Sequence, residues 1–114
     1  MQFKLIMTLV TPEITNQVID AAKKAGATGD VVLPARGTGS KEAKFFGISV
    51  EDKTDIILFV VEEHIVNRVM QAITTDCKLR EPGKGIAIVL SVDKVVGMES
   101  QIEKIKTRLR EEQL

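Results

Sequence analysis

Two glycine turns hold most of the chemistry this sequence could perform. The first, Gly37-Thr38-Gly39-Ser40, follows Leu33-Pro34-Ala35-Arg36 and precedes Lys41. Its backbone N–H groups, two hydroxyls and nearby ammonium are the ingredients of an anion-binding nest. The second, Pro82-Gly83-Lys84-Gly85, opens an apolar run much later in the chain. Neither turn has the spaced glycines and Gly-Lys-Ser/Thr ending of a Walker loop, and no helix follows the first as a dinucleotide fingerprint requires. An ordinary turn explains either one alone. Together they are the places where a small anionic molecule would be held.

The remaining reactive side chains have plainer explanations. His64 is the only histidine and follows Glu62-Glu63, where a surface role is expected rather than catalysis or metal ligation. Cys77 stands beside Lys78 at the expected end of a helix and reads as structural. Glu51-Asp52 and Glu62-Glu63 are adjacent in sequence rather than opposed across a cleft, and Met7, Met70 and Met98 read as core filling. No catalytic dyad, metal cluster or redox motif emerges, so the chain reads as a protein that is not an enzyme.

The composition narrows the setting. The chain has 114 residues, 44% of them hydrophobic, enough for one domain with a modest core. Lysine plus arginine total 16, as do aspartate plus glutamate. This balance argues against nucleic acid as a partner, since phosphate backbones call for a basic field. With no Trp or Tyr and four Phe, stacking platforms are also scarce. A single cysteine precludes an internal disulfide and fits a reducing, cytoplasmic compartment. The N-terminal Met1-Gln2-Phe3-Lys4-Leu5 lacks signal-peptide character, and no apolar run reaches the roughly 20 residues that span a bilayer.

The elements that would position the turns can be read in order. Residues 2–10 are apolar and form a strand. Thr11-Pro12-Glu13 starts a helix with Ile14, Val18, Ile19, Ala22 and Ala25 on one stripe, closed by Lys23, Lys24 and Gly26. Residues 31–36 form a second strand, kept to a sheet edge by Pro34, which cannot donate to a ladder. A long loop covers 37–53, with a helical turn expected at Ala43-Lys44-Phe45-Phe46; loops of this length are often functional. Residues 55–61, apolar on both alternating faces, form a central strand. Glu62 and Glu63 open a second helix that buries Ile65, Val66, Val69, Met70, Ala72 and Ile73. A last strand covers 86–92. A capping box at Ser100-Gln101-Ile102-Glu103 starts a charged surface helix at 99–112 with Ile105 and Leu109.

This order predicts an α+β fold, a ferredoxin-like βαββαβ sandwich with an extra C-terminal helix and with the first and third strands central. Its helices cover one sheet face, yet the central strands are apolar on both. A monomer would expose too large an apolar patch, so an oligomer is expected.

The two turns, with Ala25-Gly26-Ala27-Thr28-Gly29 before the second strand and Pro82-Gly83-Lys84-Gly85-Ile86 before the fourth, resemble the PII signalling family of nitrogen regulatory proteins. The resemblance runs from Phe3 to about Val96 and is stronger still to a PII-like branch with Arg-Gly-Thr-Gly-Ser, Phe-Phe-Gly-Ile and Gly-Lys-Gly-Ile-Ala patterns. It implies a single PII-like domain over 1–114, a homotrimer, and clefts between subunits. Residues 37–53 would correspond to the T-loop, which docks on a target protein, a membrane transporter among the candidates. Residues 79–85 would correspond to the B-loop, which wraps nucleotide phosphates. The nucleotide site implied includes Gly37, Thr38, Gly39, Lys41, Arg80, Gly83, Lys84 and Gly85. The partner-binding loop implied includes Ser40, Lys41, Glu42, Lys44, Phe45 and Phe46.

The departures from the family pattern bear on the ligand. The loop is shorter than a usual T-loop and has no tyrosine to modify. Ile86 stands where the family has a lysine after the B-loop glycines, and the two C-terminal phosphate-gripping arginines align near Gly97 and Glu99. Each lost charge-assisted contact costs about 1.5–3 kcal/mol, so ADP, AMP or a cyclic nucleotide is as well suited as ATP. No glutamine occurs between residues 18 and 70, which disfavours 2-oxoglutarate. The alternatives are a trimeric interaction protein with no nucleotide, and a metal-responsive trimer, for which one histidine and one cysteine supply few ligands.

Overall fold

The structure is a computed structural model that describes residues 2–36, 44–45, 48–49 and 53–112. Its main sheet has four antiparallel strands: β1 (Phe3–Val10), β2 (Val31–Ala35), β5 (Thr54–Glu62) and β6 (Gly85–Ser91), in the order β2-β5-β1-β6. β1 and β5 are central, and β2, with Pro34, is an edge, as its missing N–H requires. Two further two-residue strands, β3 (Lys44–Phe45) and β4 (Ile48–Ser49), pair with each other. The helical turn expected at Ala43–Phe46 is therefore replaced, at Lys44 and Phe45, by an extended pair.

Two helices pack on one face. α1 (Thr15–Lys24) follows a 3-10 turn at Pro12–Ile14, and α2 (Val66–Asp76) follows another at Glu63–Ile65. Their stripes meet Ile6, Val10, Ile57, Phe59 and Val61 in a core where Val18, Ala22, Val69 and Ile73 are fully enclosed. α1 closes at Gly26 (φ 118), with the Ala27 N–H donating to the Ala22 carbonyl at 3.0 Å. The second helix does not begin at Glu62. That residue ends β5, opposite Phe3, and is only 3% exposed.

Directly opposed residues share a face, so the registers define the other side of the sheet. It carries Leu5, Met7 and Leu9 of β1, Ile56, Leu58 and Val60 of β5, Ile86, Ile88 and Leu90 of β6, and Val31 and Leu33 of β2. Every one of these is aliphatic or methionine. Val31, Leu33 and Leu90 are 55%, 45% and 40% exposed, so this face is open along both edges.

The C-terminal helix α3 (Glu99–Glu112) is not simply a surface helix. Ile105 is buried, and Arg108 Nη2 donates to Glu62 Oε1 at 2.9 Å, which seats α3 at the Phe3–Glu62 end of the open face. Among the described residues, no helix is long and apolar enough to cross a membrane.

Candidate functional site

The register places the stem of the loop after β2 and the turn before β6 at one end of the sheet. Pro34 pairs with Asp55, Asp55 with Val10, and Val10 with Gly85, so these four form a single row across all four strands. The loop after β2 leaves just past this row at Arg36 and returns at Lys53, its stem closed by the Ala35–Thr54 pair. The turn before β6 arrives at the same row from the opposite edge. Strands lie about 4.8 Å apart, so the two regions are separated by roughly 14 Å within one chain. The loop stem and the glycine turn thus stand at one end of the sheet on its two opposite edges.

The turn at 79–85 is tightly built. Lys78 takes a left-handed conformation (φ 53), the Glu81 N–H donates to the Lys78 carbonyl at 3.0 Å, and the Lys84 N–H to the Glu81 carbonyl at 3.4 Å. Gly85 (φ 147) lies where a Cβ would be 2.5 Å from the Leu9 carbonyl oxygen, so only glycine permits the close approach of β6 to β1. Gly83 (φ 81) faces open space. Arg80 and Gly83 are exposed and Lys84 half-buried, so this turn presents two cations and an accessible backbone.

The loop stem has its own anchor. Thr15 Oγ1 donates to Asp55 Oδ2 at 2.5 Å, tying the start of α1 to the strand on which the loop returns. Thr15→Val removes this charge-assisted bond, and the expected loss of stability is about 1.5–3 kcal/mol, measured by urea denaturation. A change below about 0.5 kcal/mol would show the pair to be incidental.

Of the residues read from sequence as a nucleotide site, Arg80, Gly83, Lys84 and Gly85 fall together in this turn. Gly37, Thr38, Gly39, Ser40, Lys41, Glu42 and Phe46 lie outside the described residues, while Lys44 and Phe45 form β3. His64 is exposed in the turn after β5, at the other end of the sheet. Among the described residues, no group of three or more His, Cys, Asp or Glu could hold a metal ion. Cys77 is buried, and burial, reinforced by the Asp76 carboxylate, pushes its thiol pKa up. A raised pKa leaves little thiolate at neutral pH, so iodoacetamide at pH 7.5 should modify native Cys77 at least about tenfold more slowly than the unfolded chain. Equal rates would contradict this placement.

Sequence reading missed a cavity of about 830 Å³ between α3 and the open sheet face. Thr28, Gly29 and Asp30 form one rim, Lys104, Ile105 and Arg108 another, over a floor of Leu5, Val31, Leu58 and Val60. Thr28 and Gly29 of the first rim belong to the Ala-Gly-Ala-Thr-Gly stretch, which was read only for its resemblance, and nothing local in sequence ties residue 108 to residue 62. A smaller cleft of about 490 Å³ lies between Gln2–Lys4 and Ser91–Val95, where Lys4 Nζ donates to Ser91 Oγ at 3.2 Å.

Residues 3–105 match the model of the family described as nitrogen regulatory protein P-II. No curated protein matches the sequence. Among solved structures, the chain is similar to a PII-like signaling protein of Thermus thermophilus, at 24% identity and a TM-score of 0.64, covering 88% of this chain and 98% of that one. It is also similar to CPII of Thiomonas intermedia, solved bound to ADP, AMP and acetate, at 18% identity and a TM-score of 0.64, covering 84% and 90% respectively. At these identities the two structures bear on the fold alone.

Proposed function

The chain belongs to the nitrogen regulatory protein P-II family, and from that premise we propose that it is a cytoplasmic homotrimeric regulator that binds an adenine nucleotide between subunits. In this reading the nucleotide state is passed to a target protein, a membrane transporter among the candidates, through the loop after β2. The observation that carries the reading is the row Pro34–Asp55–Val10–Gly85. It puts the loop stem and the glycine turn at one end of the sheet but on opposite edges, an arrangement that supports a site shared between the turn of one copy and the loop stem of a neighbour. The aliphatic face between the two edges gives the copies a surface on which to assemble.

The chain's own residues define what each half does. The turn at 79–85 offers backbone N–H groups and the Arg80 and Lys84 cations to phosphate oxygens. The half supplied by the neighbour is Arg36 with Gly37, Thr38, Gly39 and Lys41, which would meet the ligand at the base of the loop. ADP, AMP or a cyclic nucleotide suits this site at least as well as ATP, because Ile86, Gly97 and Glu99 stand where the family carries cations. The adenine nucleotides held by the Thiomonas protein favour the same ligand class. A PII-type regulator needs no catalytic group: occupancy changes the loop, and the loop changes the partner.

Thermal unfolding of the purified protein against ATP, ADP, AMP, cyclic AMP and cyclic di-AMP, each with and without magnesium, tests the assignment. At a hundredfold excess over its dissociation constant, a ligand of the native state adds about 2.7 kcal/mol. The shift should vanish in Gly83→Asp, which places a carboxylate among the phosphate donors. No shift with any nucleotide would leave a trimer with an empty cleft and end the nucleotide reading.

A further inference from the structure

The open cleft between α3 and the sheet is built unlike the two glycine turns. Its floor is Leu5, Val31, Leu58 and Val60, from three neighbouring strands, and Met98 and Ile105 line the opposite wall. Strands about 4.8 Å apart make that floor roughly 10 Å across. At about 830 Å³ the cleft has the size of a small-molecule site, and such sites are apolar with a few placed polar groups. Among the described residues, no aromatic side chain lines it. A flat ring therefore finds nothing to stack on, whereas an aliphatic chain meets aliphatic surface throughout. The floor also stands off from the Pro34–Gly85 row, by about 17 Å at Leu5 and about 10 Å at Val31.

The charges around the cleft do not cancel. Arg108 Nη2 lies 2.9 Å from Glu62 Oε1, and Lys23 Nζ lies 3.8 Å from Asp30 Oδ1, so these four are offset within the fold. Lys104 stands one helical turn before Arg108 on the same rim and has no ion pair among the described residues. One uncompensated positive charge is left at the edge of an aliphatic floor. Beside it, the Arg108 guanidinium keeps N–H donors beyond the one that Glu62 accepts. We propose that this cleft binds an organic monoanion with an aliphatic body, a medium-chain carboxylic acid being the simplest member. Its carboxylate meets Lys104 and Arg108, and its chain lies across Leu58, Val60 and Val31. The charge balance favours one negative charge over two. A chain held there touches both the sheet and α3, so it ties the helix down.

Hydrogen exchange of the α3 amides in the full chain, with sodium octanoate as the probe, tests this. Octanoate should slow exchange across residues 99–112. Butyrate, which lacks the chain, and octylammonium, which reverses the charge, should not do so at the same concentration. By isothermal titration, Lys104→Glu, at an exposed position, should weaken octanoate at least about tenfold, and Lys104→Arg should retain it. Val31→Asp, on the exposed edge strand, puts a carboxylate in the floor and should weaken octanoate to a similar extent. No protection by octanoate would overturn the proposal. So would equal binding of octylammonium, or parental affinity in both Lys104→Glu and Val31→Asp, since either means that the chain partitions without a site. Displacement of octanoate by ADP or AMP would also overturn it, by giving the cleft to the nucleotide. A protein that binds octanoate but no nucleotide would remove the nucleotide reading and leave this one standing.

Discussion

Gly85→Ala should lower stability by about 3 kcal/mol, far more than one methyl group ordinarily does. The new Cβ would stand 2.5 Å from the Leu9 carbonyl oxygen and 2.7 Å from Val10 Cγ1, both on the central strand. Overpacking against a fixed neighbour costs about 1–3 kcal/mol, and a side chain at φ 147 adds strain of order 1–2 kcal/mol. Neither obstacle can move, because Leu9 and Val10 are themselves held between β5 and β6. Gly83→Ala is the control. It adds a methyl group two residues earlier, at φ 81 but into open space, so only the backbone term of about 1 kcal/mol applies. Thermal melts at equal protomer concentration should separate the two by roughly 5–10 °C. Equal losses would mean that β6 does not approach β1 as described.

If the proposed trimer closes over the open face, Met7→Lys should reduce it to monomers. Met7 stands at the centre of the open face, opposite Leu58 on one side and Ile88 on the other. In a trimer closed over this face, three ammonium groups would be buried without partners, each costing several kcal/mol. A change of that size weakens association by at least a hundredfold. The Lys side chain points away from α1 and α2, so the core of Ile6, Val10, Phe59 and Val61 is left intact and the chain should still fold. Light scattering should report the mass of one chain, and nucleotide-dependent stabilisation should disappear with the trimer. A variant that stays trimeric would place the subunit contact on another surface.

How much of this was legible in the sequence depended on the range of the interactions involved. The central place of β5 was readable because 55–61 is apolar on both alternating faces, as an edge strand facing water is not. The edge position of β2 followed from one residue, Pro34, through its missing N–H. Glu62 was misread as the start of a helix because a local rule, acids at a positive helix end, competes with a contact 46 residues away. The Arg108 cation that lets a carboxylate be buried at the end of β5 has no local signature. Likewise Lys44-Phe45 and Ile48-Ser49 are too short for periodicity to separate strand from turn. The turn at 82–85 was legible from its glycines, but the distance from it to the loop stem within one chain was not. Glycine content says nothing of register, and it is the register that sets Pro34 and Gly85 in one row on opposite edges.

That relation is the centre of the account, and mixing subunits tests it most directly. Arg36→Glu disables the loop-stem half of the site and Gly83→Asp the glycine-turn half, each on its own set of chains. Neither protein alone should bind the nucleotide that stabilises the parent. After the two are mixed in equal amounts, dissociated and reassembled, about a quarter of the sites should pair an intact stem with an intact turn from the neighbouring copy. Isothermal titration should find that fraction binding with parental affinity. A mixture that binds no more than its components would contradict a site shared between subunits.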